Sequence, residues 1–264
     1  MTHYLEVPGG RIAYDDTTGA GPLLVLSPGM GDLRSSYRLV APELAEAGYR
    51  VVTVDLRGHG ESSVPFDEYT NSATGADLAA LIRHLDAGPA VVVGHSFSGG
   101  SAVWLASEHP ELVRGVVLLE AFTKPVTINA FMKQLARLVL SSPILWAMYY
   151  KSLHKGPKPA DLAEHVAAMK KNLGETGRMA AARTMGLGTK DDLAGRLERV
   201  TAPALAVYGT KSPDFADPRA EAESIAAALA GTTEIVMVDG AGHYPHHEYP
   251  ENTSAAILAF LGRL

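Results

Sequence analysis

A serine and a histidine each stand in a glycine-rich turn directly after an apolar run of the sequence. Ser96 lies in the turn 94–100 (GHSFSGG), which follows Ala90–Val93, and His243 ends the turn 239–243 (DGAGH), which follows Glu234–Val238. A serine hydroxyl raised on a sharp turn can act as a nucleophile, and a neutral imidazole can take its proton near pH 7. We therefore predict that Ser96 is a nucleophile and His243 its general base, which requires folding to bring the hydroxyl within reach of the imidazole.

The small residues around Ser96 approximate the Gly-x-Ser-x-Gly pattern of a strand-to-helix turn that exposes a serine. Ser98 takes the place of the second glycine, while Gly99 and Gly100 still allow close packing. A glycine-rich turn that cradles a phosphate is the alternative interpretation. Because this turn follows the fifth predicted strand, and does not open the chain as a dinucleotide-binding turn usually does, we favour the nucleophile.

A second loop offers donors for a negatively charged oxygen. Residues 27–32 (SPGMGD) follow the run Leu23–Leu26, and their two glycines permit a tight loop with inward amides. Alone, this stretch is typical of a plain loop. Together with the other two turns, it predicts that the amides of Met30 and Phe97 stabilise an oxyanion, with Gly29 against the substrate. Residues 55–60 (DLRGHG) are interpreted as structural turn residues.

Eight short runs, most of them apolar, must position these residues. They are His3–Val7, Arg11–Thr17, Leu23–Leu26, Arg50–Leu56, Ala90–Val93, Gly115–Leu119, Ala204–Tyr208 and Glu234–Val238. The first two flank a Gly-Gly pair and predict a hairpin. The later runs alternate with helical patterns, which is typical of a parallel sheet covered on both faces. We predict an α/β fold with a mostly parallel central sheet and helices on both faces.

The stretch from Thr123 to about Gly188 breaks this alternation, because it contains several helical patterns and no convincing strand. We predict that residues 123–188 form a helical cap. The cap is inserted into a core made of residues 1–122 and 189–264.

Composition narrows the range of partners. The chain has 264 residues, 47% of them hydrophobic, and a net charge of −6, which argues against nucleic acid or an anionic membrane as the main partner. It has no cysteine, so disulfides, thiolate metal sites and a cysteine nucleophile are excluded. The first residues do not read as a signal peptide. We expect a soluble protein of the cytoplasm that acts on a small molecule.

Two further histidines, His246 and His247, make a metal site near His243 an alternative. Pro245 and the non-helical context spoil the spacing of ligands on one helix face. We therefore predict neither a metal nor a cofactor.

With these motifs in place, the chain resembles the α/β-hydrolase superfamily, and most closely bacterial esterase-like members that carry a helical cap. The resemblance rests on residues 28–31 (PGMG), 55–60, 94–96 and 240–243, in that order along nearly the whole chain. It implies an α/β-hydrolase fold and a catalytic triad of serine, histidine and an acid. It says little about the substrate, since one fold hosts many chemistries.

The acid departs from the usual pattern of the superfamily, which would place it at Ser212; Asp214 and Asp217 are close by but displaced. Members such as haloalkane dehalogenases and zearalenone lactonases instead carry an acid after the strand that precedes the cap. Glu120 stands there, and Thr123-Lys124 follow as in the lactonases. We favour Glu120 over Asp214.

The resemblance implies hydrolysis of a carboxylic ester or lactone through an acyl-enzyme at Ser96. A serine at the turn argues against the chemistry of dehalogenases and epoxide hydrolases, which use an aspartate. Phe131, Trp146 and Tyr149 of the cap predict an apolar pocket, and a resorcylic-type macrolactone is the specific substrate hypothesis. The alternatives are a ligand receptor or slow binder that retains the triad, and a lyase, perhydrolase or acyltransferase on the same scaffold.

Overall fold

The computed structural model describes residues 1–124 and 129–264, and within these ranges eight strands form one sheet. The strands are β1 (Thr2–Val7), β2 (Gly10–Asp16), β3 (Leu23–Ser27), β4 (Arg50–Val54), β5 (Ala90–His95), β6 (Val113–Leu119), β7 (Ala204–Gly209) and β8 (Thr233–Val238). Each run predicted from the sequence coincides with one strand to within two residues.

The strands lie in the order β1-β2-β4-β3-β5-β6-β7-β8. β1 and β2 form an antiparallel hairpin, and β2 also pairs antiparallel with β4. The other neighbouring strands pair in parallel. The predicted hairpin and the mostly parallel sheet are therefore confirmed.

Helices cover both faces of the sheet. They are α1 (Ala41–Glu46), α2 (Asn71–Leu85), α3 (Phe97–Glu108), α4 (Ala130–Val139), α5 (Pro143–Ser152), α6 (Leu162–Leu173), α7 (Arg178–Leu187), α8 (Pro218–Ala228), α9 (Pro245–Glu248) and α10 (Pro250–Leu261). Successive strand side chains point to opposite faces, so Val92 of β5 packs in one apolar core and Val91 and Val93 in another. α2, α3 and α8 contribute to the first core, and α1 and α10 to the second.

Four helices, α4 to α7, lie between β6 and β7, and the described part of this segment contains no strand. Trp146, Tyr150 and Met169 are buried in an apolar core of this segment, and Tyr244, which follows β8 in the chain, belongs to the same core. Residues 125–128 of the predicted cap lie outside the described residues. We call residues 129–188 the cap segment, and the division into a core and a cap remains an interpretation.

Within the described ranges, no helix is both long enough and apolar enough to cross a lipid bilayer.

Candidate active site

Ser96 occupies a strained turn between β5 and α3. Its backbone has φ 53° and ψ −116°, a conformation that costs free energy in a residue with a side chain. Its amide donates to the carbonyl of Leu119 at the end of β6, which fixes the turn against the neighbouring strand. A Cβ on Gly94 would lie 2.4 Å from the carbonyl oxygen of Ser98, so the turn needs a glycine there.

Ser98, which replaces the second glycine of the pattern, fastens the turn to the loop 27–32. Its buried hydroxyl donates to the carbonyl of Pro28, and the Ser27 hydroxyl donates to Ser98 Oγ at 2.9 Å. The close approach of chains falls instead at Gly99, where a Cβ would lie 2.2 Å from the Cβ of Ala121. The departure from the pattern therefore adds a hydrogen bond to the predicted oxyanion loop.

The loop is also held by Gly31, whose φ of +68° suits glycine. Its amide donates to His59 Nε2 at 2.9 Å, and its carbonyl accepts from Trp146 Nε1 at 3.0 Å. Burial lowers the pKa of His59 to about 4, so this ring is a neutral acceptor. Because the Gly31 amide is already used, the amide of the preceding residue, Met30, remains the expected oxyanion donor of this loop.

His243 follows β8 and is held through its backbone. Its amide donates to the carbonyl of Leu153 at 3.1 Å, and its carbonyl accepts from His95 Nε2 at 2.9 Å. The His95 ring also lies 4.7 Å from the His243 ring, and the Phe122 ring lies 6.0 Å from it. His95 precedes Ser96, and the Phe122 amide donates to the Ser96 carbonyl at 3.1 Å, so the predicted nucleophile and base share two neighbours.

Two carboxylates approach Nδ1 of His243. Asp214 Oδ2 lies 2.8 Å away and Glu120 Oε2 lies 3.6 Å away. The Asp214 contact lacks the alignment of a hydrogen bond, and the Glu120 contact is too long for one. Hydrogen bonds in active sites are often long or poorly aligned until substrate binds. The structure thus brings both of the acids considered from the sequence to the imidazole, with Asp214 nearer than the favoured Glu120.

Glu120 is fully buried at the end of β6, and its φ of 46° is strained like that of Ser96. The Gly209 amide donates to Oε1 and the Ser212 hydroxyl donates to Oε2, each at 2.5 Å. Ser212, which occupies the usual place of the acid, is therefore a donor to the carboxylate of the neighbouring strand.

Burial and charge shift the pKa values of this group. Burial disfavours the imidazolium, but the carboxylate of Asp214, followed by that of Glu120, outweighs it and raises the pKa of His243. Burial raises the pKa of Glu120 despite the imidazole and the Ser212 hydroxyl. Burial alone would raise the pKa of Asp214, but His243 and the Tyr149 hydroxyl hold it below its usual value. In this conformation the two carboxylates favour the protonated form of the His243 imidazole.

A buried polar cluster around Asp32 joins the loop 27–32 to the cap segment. Asp32 Oδ1 lies 2.7 Å from His165 Nε2, and its Oδ2 accepts from the hydroxyls of Tyr150 and Ser36, each at 2.9 Å. His247 Nε2 lies 3.0 Å from Ser36 Oγ. His246 and His247, considered above as metal ligands, are buried beside this cluster, and the described residues hold no group of three or more acidic or histidine side chains placed for a metal.

The predicted pocket residues lie in different surroundings. Phe131 on α4 is 75% exposed. Trp146 is buried against the loop 27–32. Gly29 lies close to Ser96, because a Cβ on Gly29 would lie 3.1 Å from the Cβ of Ser96. Tyr149 donates to Asp214 Oδ1 at 3.2 Å. Their roles in binding substrate remain predictions.

Sequence reasoning missed the supporting roles of Ser98 and His59. The signal for Ser98 was available, because a polar residue that replaces a glycine in a tight turn needs a partner when buried. His59 gave no such signal, since its contact with Gly31 joins residues 28 positions apart.

A serine raised on a strand-to-helix turn at the carboxyl ends of parallel strands, with a histidine after the last strand, defines a protein of the α/β-hydrolase class. A family model described as the alpha/beta hydrolase family matches residues 24–256, and the chain belongs to that family. The resemblance drawn from the sequence motifs is thereby confirmed at the level of the superfamily.

Similar proteins include hydrolases of several kinds. The chain is 30% identical to a 2-(acetamidomethylene)succinate hydrolase of Mesorhizobium japonicum, over 92% of this chain and 89% of that protein. It is 28% identical to epoxide hydrolase A of Mycobacterium tuberculosis, over 91% of this chain and 90% of that one. Among solved structures, a thermophilic esterase from Thermogutta terrifontis is 25% identical and has a TM-score of 0.81, with 100% of this chain and 98% of that chain covered.

Proposed function

We propose that the protein hydrolyses a carboxylic ester or lactone through an acyl-enzyme at Ser96. The observation that carries the proposal is the strained turn of Ser96, fastened through Ser98 to the loop that holds Met30. Backbone strain of this kind persists where the surrounding structure enforces it, and it commonly marks a functional residue. The esterase similarity and the serine at the turn support ester chemistry over epoxide opening.

In the proposed reaction, the Ser96 oxygen attacks the carbonyl carbon while His243 takes the hydroxyl proton. The Met30 and Phe97 amides stabilise the oxyanion. The C–O bond to the leaving alcohol breaks, and the imidazolium returns the proton to that alcohol. A water then gives its proton to His243 and attacks the acyl carbon. The bond from that carbon to the Ser96 oxygen breaks, and the imidazolium returns the proton to Ser96, which releases the acid and restores the serine. These steps use only groups of the chain and water.

We further propose that Glu120 and Asp214 together orient His243 and stabilise its imidazolium. Glu120 is supported by its strained backbone and its two donors, and Asp214 by its shorter distance to Nδ1. Near-complete loss of activity in Asp214→Asn, with near-normal activity in Glu120→Gln, would remove Glu120 from the proposal.

The substrate is proposed to be small, uncharged and largely apolar. Glu120 and Asp214 place two carboxylates at the imidazole, which disfavours an anionic group nearby. Leu56, Phe97 and Met185 form a buried apolar cluster directly beside the turn, with Met30 packed against it. Lactones of the resorcylic type remain a specific hypothesis to be included in a substrate panel.

The test combines turnover of p-nitrophenyl acetate with labelling of the protein by a fluorophosphonate, followed by peptide mapping. We expect turnover and a label on Ser96 in the wild type, and neither in Ser96→Ala. Ser141→Ala, at an exposed serine, is the matched control and should leave both unchanged.

A ligand receptor that retains these residues is the second candidate. It is favoured by the closed site, in which Ser96 is 9% and His243 3% exposed, and by the protonated state that the two carboxylates favour on the imidazole. Absence of labelling and of turnover on every ester and lactone tested, together with ligand binding measured by calorimetry, would support the receptor and overturn the hydrolase.

A further inference from the structure

One face of α5 contacts separate parts of the candidate site. Trp146, Tyr149, Tyr150 and Leu153 follow the i, i+3, i+4, i+7 spacing of a single helix face. Trp146 and Tyr150 hold the loop 27–32 through Gly31 and Asp32, and the carbonyl of Leu153, directly after α5, accepts from the His243 amide. α5 thus contacts the candidate site at several points, and Tyr149 makes a further contact.

Tyr149 reaches the carboxylate nearer to the base. Its hydroxyl donates to Asp214 Oδ1 at 3.2 Å, while Asp214 Oδ2 lies 2.8 Å from Nδ1 of His243. Among the described residues, no other group donates a hydrogen bond to this carboxylate, and its Oδ2 is buried without one. The ring of Tyr149 packs 5.6 Å from that of Trp146, which is itself anchored.

The two carboxylates therefore differ in what holds them. Glu120 accepts hydrogen bonds from Gly209 at the end of β7 and from Ser212, which both lie outside the cap segment. Asp214 lies in a loop, and its hydrogen-bond donor is Tyr149 of the cap segment. Besides its charge contact with His243, the position of Asp214 therefore depends on a donor that lies on another segment.

We propose that Tyr149 is a positioning residue that holds Asp214 against His243, so that the cap segment sets the charge environment of the general base. This inference rests on the proposed function. Tyr149 acts through Asp214 and needs no contact with the reacting atoms.

The proposal predicts that loss of the Tyr149 hydroxyl changes how the reactivity of Ser96 depends on pH. The titratable groups that face the imidazole are Asp214, Glu120, His95 and Tyr244. Burial, with the charge of His243, lowers the pKa of His95 to about 3, so the carboxylates supply the charge. If Asp214 leaves Nδ1 when Tyr149 loses its hydroxyl, the imidazolium is less stabilised and loses its proton at lower pH.

The experiment measures the rate of Ser96 labelling by a fluorophosphonate against pH. This readout needs no knowledge of the natural substrate. The variants are Tyr149→Phe, Asp214→Asn and their double mutant, and Tyr149→Phe in a Glu120→Gln background. The matched control is Tyr4→Phe, which removes an exposed tyrosine hydroxyl on β1, at the opposite edge of the sheet from β7 and β8.

We expect Tyr149→Phe to move the acidic limb of this pH profile to lower pH, in the same direction as Asp214→Asn. It should also lower the plateau rate about ten- to a hundredfold, as for one hydrogen bond to a charged group. The Tyr149 effect should vanish in the Asp214→Asn background and persist in the Glu120→Gln background. An unchanged limb in Tyr149→Phe, or an equal effect with and without Asp214, overturns the inference. Absence of labelling in the wild type instead overturns the proposed function.

Discussion

The Ser212 hydroxyl donates a hydrogen bond of 2.5 Å to Oε2 of Glu120, across the ends of neighbouring strands. The residue that occupies the usual place of the catalytic acid thereby supports a carboxylate from the preceding strand. Ser212 and Glu120 are both buried, so neither group can replace this bond with water. The carboxylate of Glu120 is therefore held by donors at and after the end of the neighbouring strand β7.

Ser212→Ala tests this dependence. The variant leaves a buried carboxylate oxygen with one donor fewer, and we expect the free energy of unfolding to fall by about 1–3 kcal/mol. Ester turnover should fall as well, because Glu120 is released on the side that faces His243. Urea unfolding and p-nitrophenyl acetate kinetics measure the two effects, with Ser141→Ala as the control. Wild-type stability in Ser212→Ala would show that this bond does not contribute to folding.

The pH profile of the wild type is the second prediction. The carboxylates of Asp214 and Glu120 outweigh burial and raise the pKa of His243, so the neutral base becomes available only at higher pH. We expect the acidic limb of kcat/KM to lie above the ordinary histidine pKa of about 6.5. Asp214→Asn removes a negative charge and should move the limb to lower pH.

The control for that charge change is Asp67→Asn, at an exposed aspartate. Its profile should coincide with that of the wild type. A wild-type limb at or below the ordinary histidine value, unmoved by Asp214→Asn, would contradict the assigned charge environment.

The fold could be predicted from the sequence because its information is local. Runs such as Ala90–Val93 are apolar throughout and stand between helical patterns, which is typical of buried parallel strands. The turns that carry Ser96 and His243 are likewise adjacent to their strands, so strand ends fixed their place in the fold. Boundaries differ by one or two residues, as at β6, where hydrogen bonding extends beyond the apolar run.

The environment of the acids could not be predicted in the same way. Whether Asp214 or Glu120 comes nearer to His243 depends on the path of the loop that carries Asp214. It also depends on Tyr149 of the cap segment, which lies 65 positions from Asp214 in the sequence. His165 lies buried against Asp32 across 133 positions. Such contacts follow from tertiary packing, which no local pattern encodes.

Ser98 provides the third prediction. Its hydroxyl fastens the turn of Ser96 to the carbonyl of Pro28, which lies two residues before Met30, the predicted oxyanion donor of this loop. Ser98→Ala removes the hydroxyl and keeps the Cβ, so we expect kcat to fall by roughly three- to tenfold, the equivalent of one hydrogen bond, with KM little changed. Steady-state kinetics with p-nitrophenyl acetate measures the split, and circular dichroism monitors folding. A rise in KM of the same size, with kcat unchanged, would show that Ser98 acts on substrate binding and would contradict the prediction.

The pH dependence of stability at Asp32 is the fourth prediction. Burial opposes the charge of this carboxylate, but His165, the Leu33 amide and the Tyr150 hydroxyl together hold the pKa of Asp32 well below its usual value. A depressed folded-state pKa contributes stability that is present above the unfolded value, about 3.9, and is lost as pH falls towards the folded value. Asp32→Asn removes this contribution.

We therefore expect Asp32→Asn to be about 3–5 kcal/mol less stable than the wild type at pH 7, since it leaves buried partners unpaired. The difference in unfolding free energy between the wild type and Asp32→Asn, the stability gap, should narrow as pH falls below about 4. The wild type then loses the same contribution. Urea unfolding at a series of pH values measures the gap, and Asp67→Asn should track the wild type throughout. A gap that stays constant down to the acid end would mean that the charge of Asp32 does not hold the cap segment to the oxyanion loop.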